Sequence, residues 1–251
     1  MQWKHQSIFI VSSIILILTA CSPAQKTVPA PDPGTEVTAG TVPIQQEEPT
    51  HGPTETSTPE PTPTLQVIYQ DDFSDPSSGW ERYQEMDGYL DYYEGGYRMM
   101  VEETDMVFWV VSPGKFQSIR IDVDIEPLDE LDTKRMGVLC SYNTEDFSFY
   151  GFLFDNNGRS AVLHYMQGEM EILGEEDFIE QDSLKRNARQ YHLTAECSDE
   201  TLRMYVDNQL LHYVKSVSLT EGEIGLLAGT VEEPGVDLLF KSLEVSALES
   251  E

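Results

Sequence analysis

Charge is the first property that limits what this 251-residue chain can do, because 45 acidic side chains oppose 15 lysines and arginines and the formal net charge is −30 at pH 7. A field of this sign repels nucleic acid and anionic lipid surfaces, so the composition excludes binders of duplex nucleic acid and favours solubility and the attraction of cations. The composition leaves the oligomeric state open.

The N-terminal segment has the composition of an export signal. Lys4 lies in a short basic start, the run IFIVSSIILILTA from Ile8 to Ala20 is almost entirely apolar, and small residues precede Cys21. This run is shorter than the roughly 20 residues that a transmembrane helix needs. The ending Leu18-Thr19-Ala20-Cys21 resembles the lipobox of bacterial lipoproteins, in which the cysteine is acylated and becomes the first residue of the mature chain.

That resemblance implies a signal peptide over residues 1–20 and lipidation, palmitate included, on Cys21. The acylated Cys21 would hold the protein in the lipid bilayer of the cell membrane or the outer membrane, facing outward, and the sequence leaves the choice of membrane open. The alternative is an ordinary secretory signal whose cysteine is accidental.

Residues 21–64 are rich in proline and threonine and hold almost no large apolar residue. Such a segment cannot bury enough apolar surface to offset its ordering entropy, so we expect a disordered stalk. At about 3.1 Å per residue in the extended proline-rich conformation, it would hold a following domain at up to roughly 100 Å from the membrane.

Residues 65–251 are predicted to form one all-β domain, since short runs of β-branched and aromatic residues follow one another without convincing helical periodicity. The predicted strands are Val67–Phe73, Tyr97–Glu102, Val107–Val111, Ser118–Glu126, Met136–Tyr142, Phe147–Phe154, Ser160–Met166, Tyr191–Cys197, Thr201–Val206, Gln209–Val214, Gly222–Ala228 and Val236–Val245.

The residues between these runs favour β-hairpins. Turn sequences stand at 94–96, 155–158, 167–168 and 207–208, where glycine, asparagine and aspartate cluster. Isoleucine and valine alternate with charged residues from Ile119 to Glu126, which is typical of a strand with one core face and one solvated face. Many short antiparallel strands predict a two-sheet jelly-roll sandwich.

The domain resembles the concanavalin A-like and laminin G-like sandwiches of exported bacterial proteins, including relatives of the keto-disaccharide hydrolase domain. The resemblance rests on the segments 71–80 (DDFSDPSSGW), 92–97 (YYEGGY), 202–209 (LRMYVDNQ), 223–229 (EIGLLAG) and 240–245 (FKSLEV). It implies two curved antiparallel sheets with the first and last strands adjacent, and members that are glycan binders, enzymes or unassigned surface modules.

Three cysteines are present, and lipidation of Cys21 leaves Cys140 and Cys197 as a pair. Both lie in predicted strands of an exported domain, where oxidation is permitted, so we predict a disulfide rather than two buried free thiols. No Cys-x-x-Cys motif suggests a redox function.

The best catalytic candidate is the strand segment with Asp122, Asp124 and Glu126. Spacing of two places the three carboxylates on one face of a strand, as in laminarinase-type glycosidases, although that family begins the motif with glutamate. A solvated face in a very acidic protein is the simpler interpretation, and no catalytic residue is assigned. His164, His192 and His212 each follow or precede a tyrosine, but their spacing does not support a metal site.

Calcium is the one cofactor that the composition suggests. The acid clusters at Asp71, Asp72 and Asp75 and at 175–177 offer oxygen ligands of the kind that calcium takes, yet no pattern fixes a ligand set.

Glycan binding has better support. The strand Phe147–Phe154 is aromatic on both faces, so one face packs in the core and the other is either covered by a loop or presented to a ligand. The candidates for stacking on a sugar or hydrogen-bonding to it are Tyr92, Tyr93, Trp109, Tyr150, Tyr165 and Arg159. The sequence therefore predicts a membrane-anchored, non-catalytic carbohydrate-binding module, with a glycosidase on the same fold and a structural or protein-interaction module as the alternatives.

Overall fold

The computed structural model of this protein describes residues 65–129, 134–215 and 219–248. The predicted signal peptide, Cys21 and the predicted stalk lie outside these ranges. Every regular element in the described ranges is a β-strand, and none of these residues forms a helix that is long and apolar enough to cross a membrane.

The strands are β1 (Gln66–Asp71), β2 (Tyr83–Glu85), β3 (Gly88–Tyr93), β4 (Gly96–Val101), β5 (Val107–Val111), β6 (Ile119–Pro127), β7 (Lys134–Tyr142), β8 (Phe149–Asp155), β9 (Arg159–Met166), β10 (Glu169–Ile172), β11 (Ile179–Glu180), β12 (Tyr191–Cys197), β13 (Thr201–Val206), β14 (Gln209–Lys215), β15 (Glu223–Thr230) and β16 (Val236–Ala247).

The strands form two antiparallel sheets. The nine-stranded sheet has the order β14-β13-β12-β6-β16-β4-β3-β2, with β1 also paired to β16, and the seven-stranded sheet has the order β10-β9-β8-β7-β15-β5, with β11 also paired to β9. The first and last strands are thus adjacent, as the sequence resemblance implied. The fold class predicted from the sequence, an all-β two-sheet jelly-roll sandwich, is confirmed.

The core lies between the two sheets and follows the alternation of each strand. On β6 the four inward residues Ile119, Ile121, Val123 and Ile125 are at most 2 % exposed, while the charged residues between them are partly exposed. Alternation of this kind is what a strand with one wet face requires. The largest fully buried side chains are Tyr97, Tyr191, Phe73, Phe152, Phe154, Phe240, Met99, Ile119, Ile121, Ile125, Met136 and Leu139.

A disulfide joins the two sheets through this core. Cys140 on β7 and Cys197 on β12 are bonded across a sequence separation of 57 residues, and both are at most 2 % exposed. The disulfide predicted from the cysteine count is confirmed.

Four strands were missed by the sequence prediction. β2, β3, β10 and β11 are two to six residues long and carry charged or strongly exposed residues, so they lack the apolar signal on which strand prediction depends. The turns beside two of them were predicted. Glu94 and Gly95 between β3 and β4, and Gln167 and Gly168 between β9 and β10, all have positive φ angles.

Candidate functional site

The outer face of the seven-stranded sheet is apolar, although it points away from the inter-sheet core. Leu139, Leu153, Leu163 and Leu227 form its floor, and each is at most 2 % exposed. Burial this deep on an outer sheet face requires a second layer of side chains above the leucines. Aromatic rings from several strands form that layer.

Three rings contact one another in this layer. The centroid of Trp109 on β5 lies 5.5 Å from that of Phe149 on β8 and 5.5 Å from that of Tyr165 on β9, and Phe149 and Tyr165 are stacked at 5.1 Å. Phe149 is 4 % exposed, whereas Trp109 and Tyr165 are only partly buried. We call Trp109, Phe149 and Tyr165 the aromatic platform.

A fourth ring lies at the rim of this platform. The ring centroid of Tyr142 lies 6.2 Å from that of Phe149. Burial raises the pKa of the Tyr142 and Tyr165 hydroxyls. The contacts of Trp109 with Phe149 and Tyr165 hold its ring in place, so that the rings present a preformed surface.

Two of the sequence-predicted binding residues, Trp109 and Tyr165, are brought together here, and Tyr150 is not. Tyr150, Phe152 and Phe154 point into the inter-sheet core, where Tyr150 is 5 % exposed and its ring stacks on His164 at 4.7 Å. The prediction that Tyr150 could stack on a ligand is therefore corrected. Phe149 occupies the outward position instead, because the side chains of a strand alternate between its two faces.

The remaining predicted binding residues have structural partners elsewhere. The Tyr92 hydroxyl accepts hydrogen bonds from the amides of Gly79 and Trp80 at 3.2 and 2.9 Å, which fixes the loop after β1. Tyr93, on the nine-stranded sheet, lies under the guanidinium of Arg98 at 4.9 Å from the ring centroid.

Arg159 is also engaged within the chain. Its Nε donates to Asp155 at 3.0 Å in the β8–β9 hairpin, and that carboxylate also accepts the backbone amides of Asn157 and Arg159. Asp155 is fully buried. The guanidinium therefore neutralises a buried carboxylate of the turn.

The outer face of the nine-stranded sheet is charged, and its centre is a bridge of two carboxylates and one imidazole. Asp122 and Asp124 lie on the outward side of β6, and His192 on the neighbouring β12 faces both of them. The His192 Nδ1 lies 2.8 Å from Asp124 Oδ1, and its Nε2 lies 3.3 Å from Asp122 Oδ1. Since a carboxylate only accepts, both ring nitrogens donate and the ring is an imidazolium.

The pKa values agree with this geometry. Hydrogen bonds with Asp122, opposed by burial and aided by Asp124, raise the pKa of His192 to about 9. Burial acts to raise the pKa of Asp122, but hydrogen bonds from His192, Arg120 and Thr194 hold it well below its usual range. Asp122 and His192 are consequently both charged at neutral pH.

Neighbouring charges on this face are also paired. The Arg120 Nε donates to Asp122 at 2.7 Å, and Lys241 on β16 donates to Glu126 at 2.7 Å. An open groove of about 510 Å³ lies above the bridge, lined by Leu65, Val67, Arg120, Asp122, Asp124, His192, Ser242, Glu244 and Ser246.

The three acids of β6 do share one face, as their spacing predicted. Asp122 does not have the raised pKa that a glycosidase's general acid needs in order to protonate the leaving group. Asp122 instead has a lowered pKa and accepts hydrogen bonds from Arg120, Thr194 and His192.

The histidines do not form a cluster. His164 stacks on Tyr150, His192 bridges two aspartates, and the Nε2 of His212 lies 2.8 Å from the Ser160 hydroxyl. Within the parts of the chain that the structure describes, no group of three or more histidine, cysteine, aspartate or glutamate side chains is arranged to hold a metal ion.

The predicted calcium ligands near the start of the domain have local partners. Asp71, Asp72 and Asp75 each accept a hydrogen bond from a backbone amide two residues along the chain. Calcium binding stays a prediction.

Two features of these surfaces were missed by the sequence analysis. His192 was not connected with Asp122 and Asp124, because that contact depends on the register of β12 against β6 and the chain carries no local sign of it. Phe149 had a usable signal. Three aromatic residues alternate at 150, 152 and 154 with Gly151 between them, and the fully aromatic face of such a strand belongs in the core.

Comparison with known proteins finds relatives by fold. No protein-family model matches the chain, and no curated protein matches it. Among solved structures, it is similar to carbohydrate binding module CBM66 from Bacillus subtilis, with a TM-score of 0.55, 15 % identity, and coverage of 68 % of this chain and 96 % of that one.

Two further structures share the architecture. A beta-glucanase of Bacillus licheniformis has a TM-score of 0.54 at 10 % identity, with 74 % of this chain and 100 % of that one covered. A Bacillus subtilis protein of unknown function with a galectin-like fold has a TM-score of 0.54 at 9 % identity, with 72 % and 96 % covered. The chain therefore has the jelly-roll sandwich fold that binding modules and glycoside hydrolases share.

Proposed function

We propose that this protein is a bacterial envelope lipoprotein whose β-sandwich binds carbohydrate without cleaving it. The observation that carries the proposal is the aromatic platform, a set of three contacting rings above a buried leucine floor, of which Trp109 and Tyr165 are partly exposed. Aromatic faces stack well on the C–H faces of sugar rings, and a partly exposed aromatic patch on an otherwise acidic surface indicates recognition.

Pre-organisation strengthens this assignment. The Trp109 ring is held by contacts with Phe149 and Tyr165, so little side-chain entropy would be lost when a ligand binds. The solved structures with a similar fold support carbohydrate as the class of ligand, since one is named a carbohydrate binding module and another a beta-glucanase.

We propose that the protein does not cleave carbohydrate because of where the carboxylates of β6 lie and how they are paired. The carboxylates of β6 belong to the other sheet, where Asp122 is paired with Arg120 and Glu126 is paired with Lys241. None of the three β6 acids, Asp122, Asp124 and Glu126, lies in the sheet that carries the aromatic platform. A sugar bound on the platform would therefore not meet them.

Membrane attachment through acylated Cys21 is proposed from the sequence resemblance to a lipobox. The predicted stalk would then present the aromatic platform outside the membrane that holds the lipid. Expression of the full-length chain in a bacterium that processes lipoproteins, with an alkyne-labelled fatty acid, tests this step. We expect label on the wild-type chain and none on Cys21→Ala, whereas equal labelling of both chains would exclude Cys21 as the acylated residue.

The ligand proposal is tested by binding to a panel of immobilised neutral and acidic glycans. Trp109→Ala and Tyr165→Ala are each expected to lower affinity for the captured glycan about fivefold or more, since stacking on an aromatic ring contributes about 1 kcal/mol or more. Tyr213→Ala is the matched control, because Tyr213 is 53 % exposed but lies on the nine-stranded sheet. Equal losses in all three variants, or no capture by the wild type, would contradict the proposal.

A second candidate function, glycoside hydrolysis, is favoured by one residue. Glu223 at the start of β15 is the register partner of Tyr142, and burial raises the pKa of its carboxyl group. A carboxyl group with a raised pKa beside the aromatic platform has the property of a general acid. Sugar release by the wild type that is lost in Glu223→Gln would establish the hydrolase, whereas binding without release by both chains supports the binding module.

A further inference from the structure

Strand β5 is an open edge of the seven-stranded sheet. It pairs with β15 on one side, and no strand in the described parts of the chain pairs with it on the other. The amide of Ser112 donates to Ile224, and the amide of Thr230 donates to Met106. These two hydrogen bonds, at residues 106 and 112, show which residues of β5 face β15. The backbone groups of the even-numbered residues bond to β15.

The odd-numbered residues therefore direct their backbone groups outward. In an antiparallel pair, alternate residues turn their N–H and C=O groups to opposite sides of the strand. Val107, Trp109 and Val111 thus present their donors and acceptors at the sheet edge, and their backbone groups have no hydrogen-bond partner in the described ranges. An edge of this kind is a template for another strand.

Three other edge strands, β2, β10 and β14, carry features that hinder pairing, and β5 carries none of these features. β2 has three residues and ends in Glu85, β10 contains Glu169 and Glu171, and β14 ends in Lys215 and has a register irregularity nearer its start, between His212 and Leu210. β5 has the sequence VFWVV, and its register with β15 is uninterrupted. Charges, bulges and short length are the devices by which proteins protect their edges.

Strand β5 and the one residue on each side of it are also free of charge. The run from Met106 to Ser112 holds no charged residue in a chain of net charge −30. Two copies that approached through most of this surface would repel each other, whereas approach through β5 brings two uncharged segments together.

We propose that β5 pairs with β5 of a second copy of this chain, antiparallel and about a two-fold axis at Trp109. In that register Val107 faces Val111 of the second copy, and the two Trp109 residues face each other. All three outward residues of each strand gain backbone partners. The strand is self-complementary in this register, as a two-fold interface requires.

This pairing has a defined stoichiometry. Each chain contributes its single β5 edge, so the contact closes at a dimer and does not propagate. It would join two seven-stranded sheets into one and place the two aromatic platforms on the same continuous sheet. Each platform reaches the junction through Trp109, so the dimer would offer a binding surface twice as long as that of one chain.

Cross-linking in the envelope tests the register in the full-length chain. Residues that face each other in a hydrogen-bonded antiparallel pair have Cα atoms about 5.5 Å apart, which a disulfide can span. The double variant Val107→Cys/Val111→Cys is expected to run as a covalent dimer on a non-reducing gel. Each single variant is the control and is expected to stay largely uncross-linked, because neither introduced thiol faces its own copy.

A charge substitution tests the interface without cysteine. Sedimentation of the mature chain, residues 21–251 with Cys21→Ser, is expected to show a dimer that Val111→Lys converts to a monomer. Val67→Lys, at a valine of β1 that is 43 % exposed and pairs with β16, is the matched control and is expected to remain dimeric. A monomeric parent chain, a dimer that survives Val111→Lys, or oligomers larger than a dimer would overturn the proposal, provided that all chains melt cooperatively.

Discussion

The two outer faces of this sandwich differ in the side chains that they expose to solvent. On the nine-stranded sheet, the charged residues of β6 and β12 pair with one another through Arg120, Asp122, Asp124 and His192. On the seven-stranded sheet, leucines are buried under the aromatic platform, whose outer rings contact solvent in part. The charged groups of the first surface are paired within the chain, whereas the second surface leaves part of its apolar area exposed to solvent.

This difference indicates where a ligand gains most. A ligand on the charged face would have to replace hydrogen bonds that are already made, such as those that Asp122 accepts from Arg120 and Thr194. A ligand on the aromatic platform displaces only water from partly exposed rings, which favours binding. The charges of the nine-stranded sheet are already paired, whereas the rings of the seven-stranded sheet are partly exposed. Together these observations favour the seven-stranded sheet as the binding face.

The largest effect is expected from the link between the two sheets. Replacement of both Cys140 and Cys197 by alanine removes a cross-link that spans 57 residues and should lower the free energy of unfolding by about 4 kcal/mol in the chain-entropy model. Urea unfolding of the oxidised wild type and the double variant measures this. The reduced wild type is the control and should fall to a similar stability, and a loss below about 1 kcal/mol would show that the disulfide is not what holds the faces together.

The second-largest loss of stability is expected on the charged face, and it should leave the aromatic platform unchanged. Asp122→Asn keeps the size of the side chain but removes charge-assisted hydrogen bonds from Arg120 and His192, so we expect a loss of about 2 kcal/mol. High salt should reduce the difference, since ion pairs at a partly exposed site are screened. Binding of glycan to this variant should stay at the wild-type level, and a parallel loss of binding would place the ligand on the charged face instead.

The imidazolium bridge predicts a stability change in the alkaline range. His192 has a pKa of about 9 when folded and an ordinary value of 6.5, so its charged form stabilises the fold fully below pH 6.5. That contribution should disappear as the pH rises from 6.5 through 9. Unfolding measured across this range should show the decline in the wild type and a flatter profile in His192→Gln, and identical profiles would mean that the bridge contributes nothing to stability.

The smallest effect is expected at the margin of the charged face. The Arg203 guanidinium lies 5.4 Å from the centroid of Tyr213, which is 53 % exposed, so the contact contributes about 0.5 to 1 kcal/mol. Tyr213→Leu should therefore change thermal stability very little. A loss several times larger would show that this edge of the sheet is covered in the folded protein.

Local patterns predicted the fold well because each strand of the core shows its own alternation. β6 is the clearest case, with Ile121 and Val123 inward and Asp122 and Asp124 outward, as the sequence pattern required. The turn at Asp207 and Asn208 was equally local, and both residues have positive φ angles. Each of these signals is carried by neighbours in the chain.

The candidate site was less predictable because it depends on pairings between distant strands. Trp109 and Tyr165 were identified as candidates, but only the order β9-β8-β7-β15-β5 brings them to one face. Tyr150 was misjudged because β8 carries aromatic residues on both sides, and the alternation of Tyr150 with Phe152 and Phe154, which marks the core face, was not used. The contact of His192 with Asp124 depends in the same way on the register of β12 against β6.

The pairing of β1 with β16 determines how the domain would carry mechanical load. Gln66 lies opposite Ala247 and Asp71 opposite Leu243, so tension applied through the preceding chain enters the fold at the outer end of this pair and unzips it bond by bond. From β16 the load passes through β6 to β12, and the bond between Cys197 and Cys140 carries it covalently into the seven-stranded sheet. A domain tethered at its N-terminus and pulled by a ligand on that sheet would thus yield first at β1, while the platform stays intact.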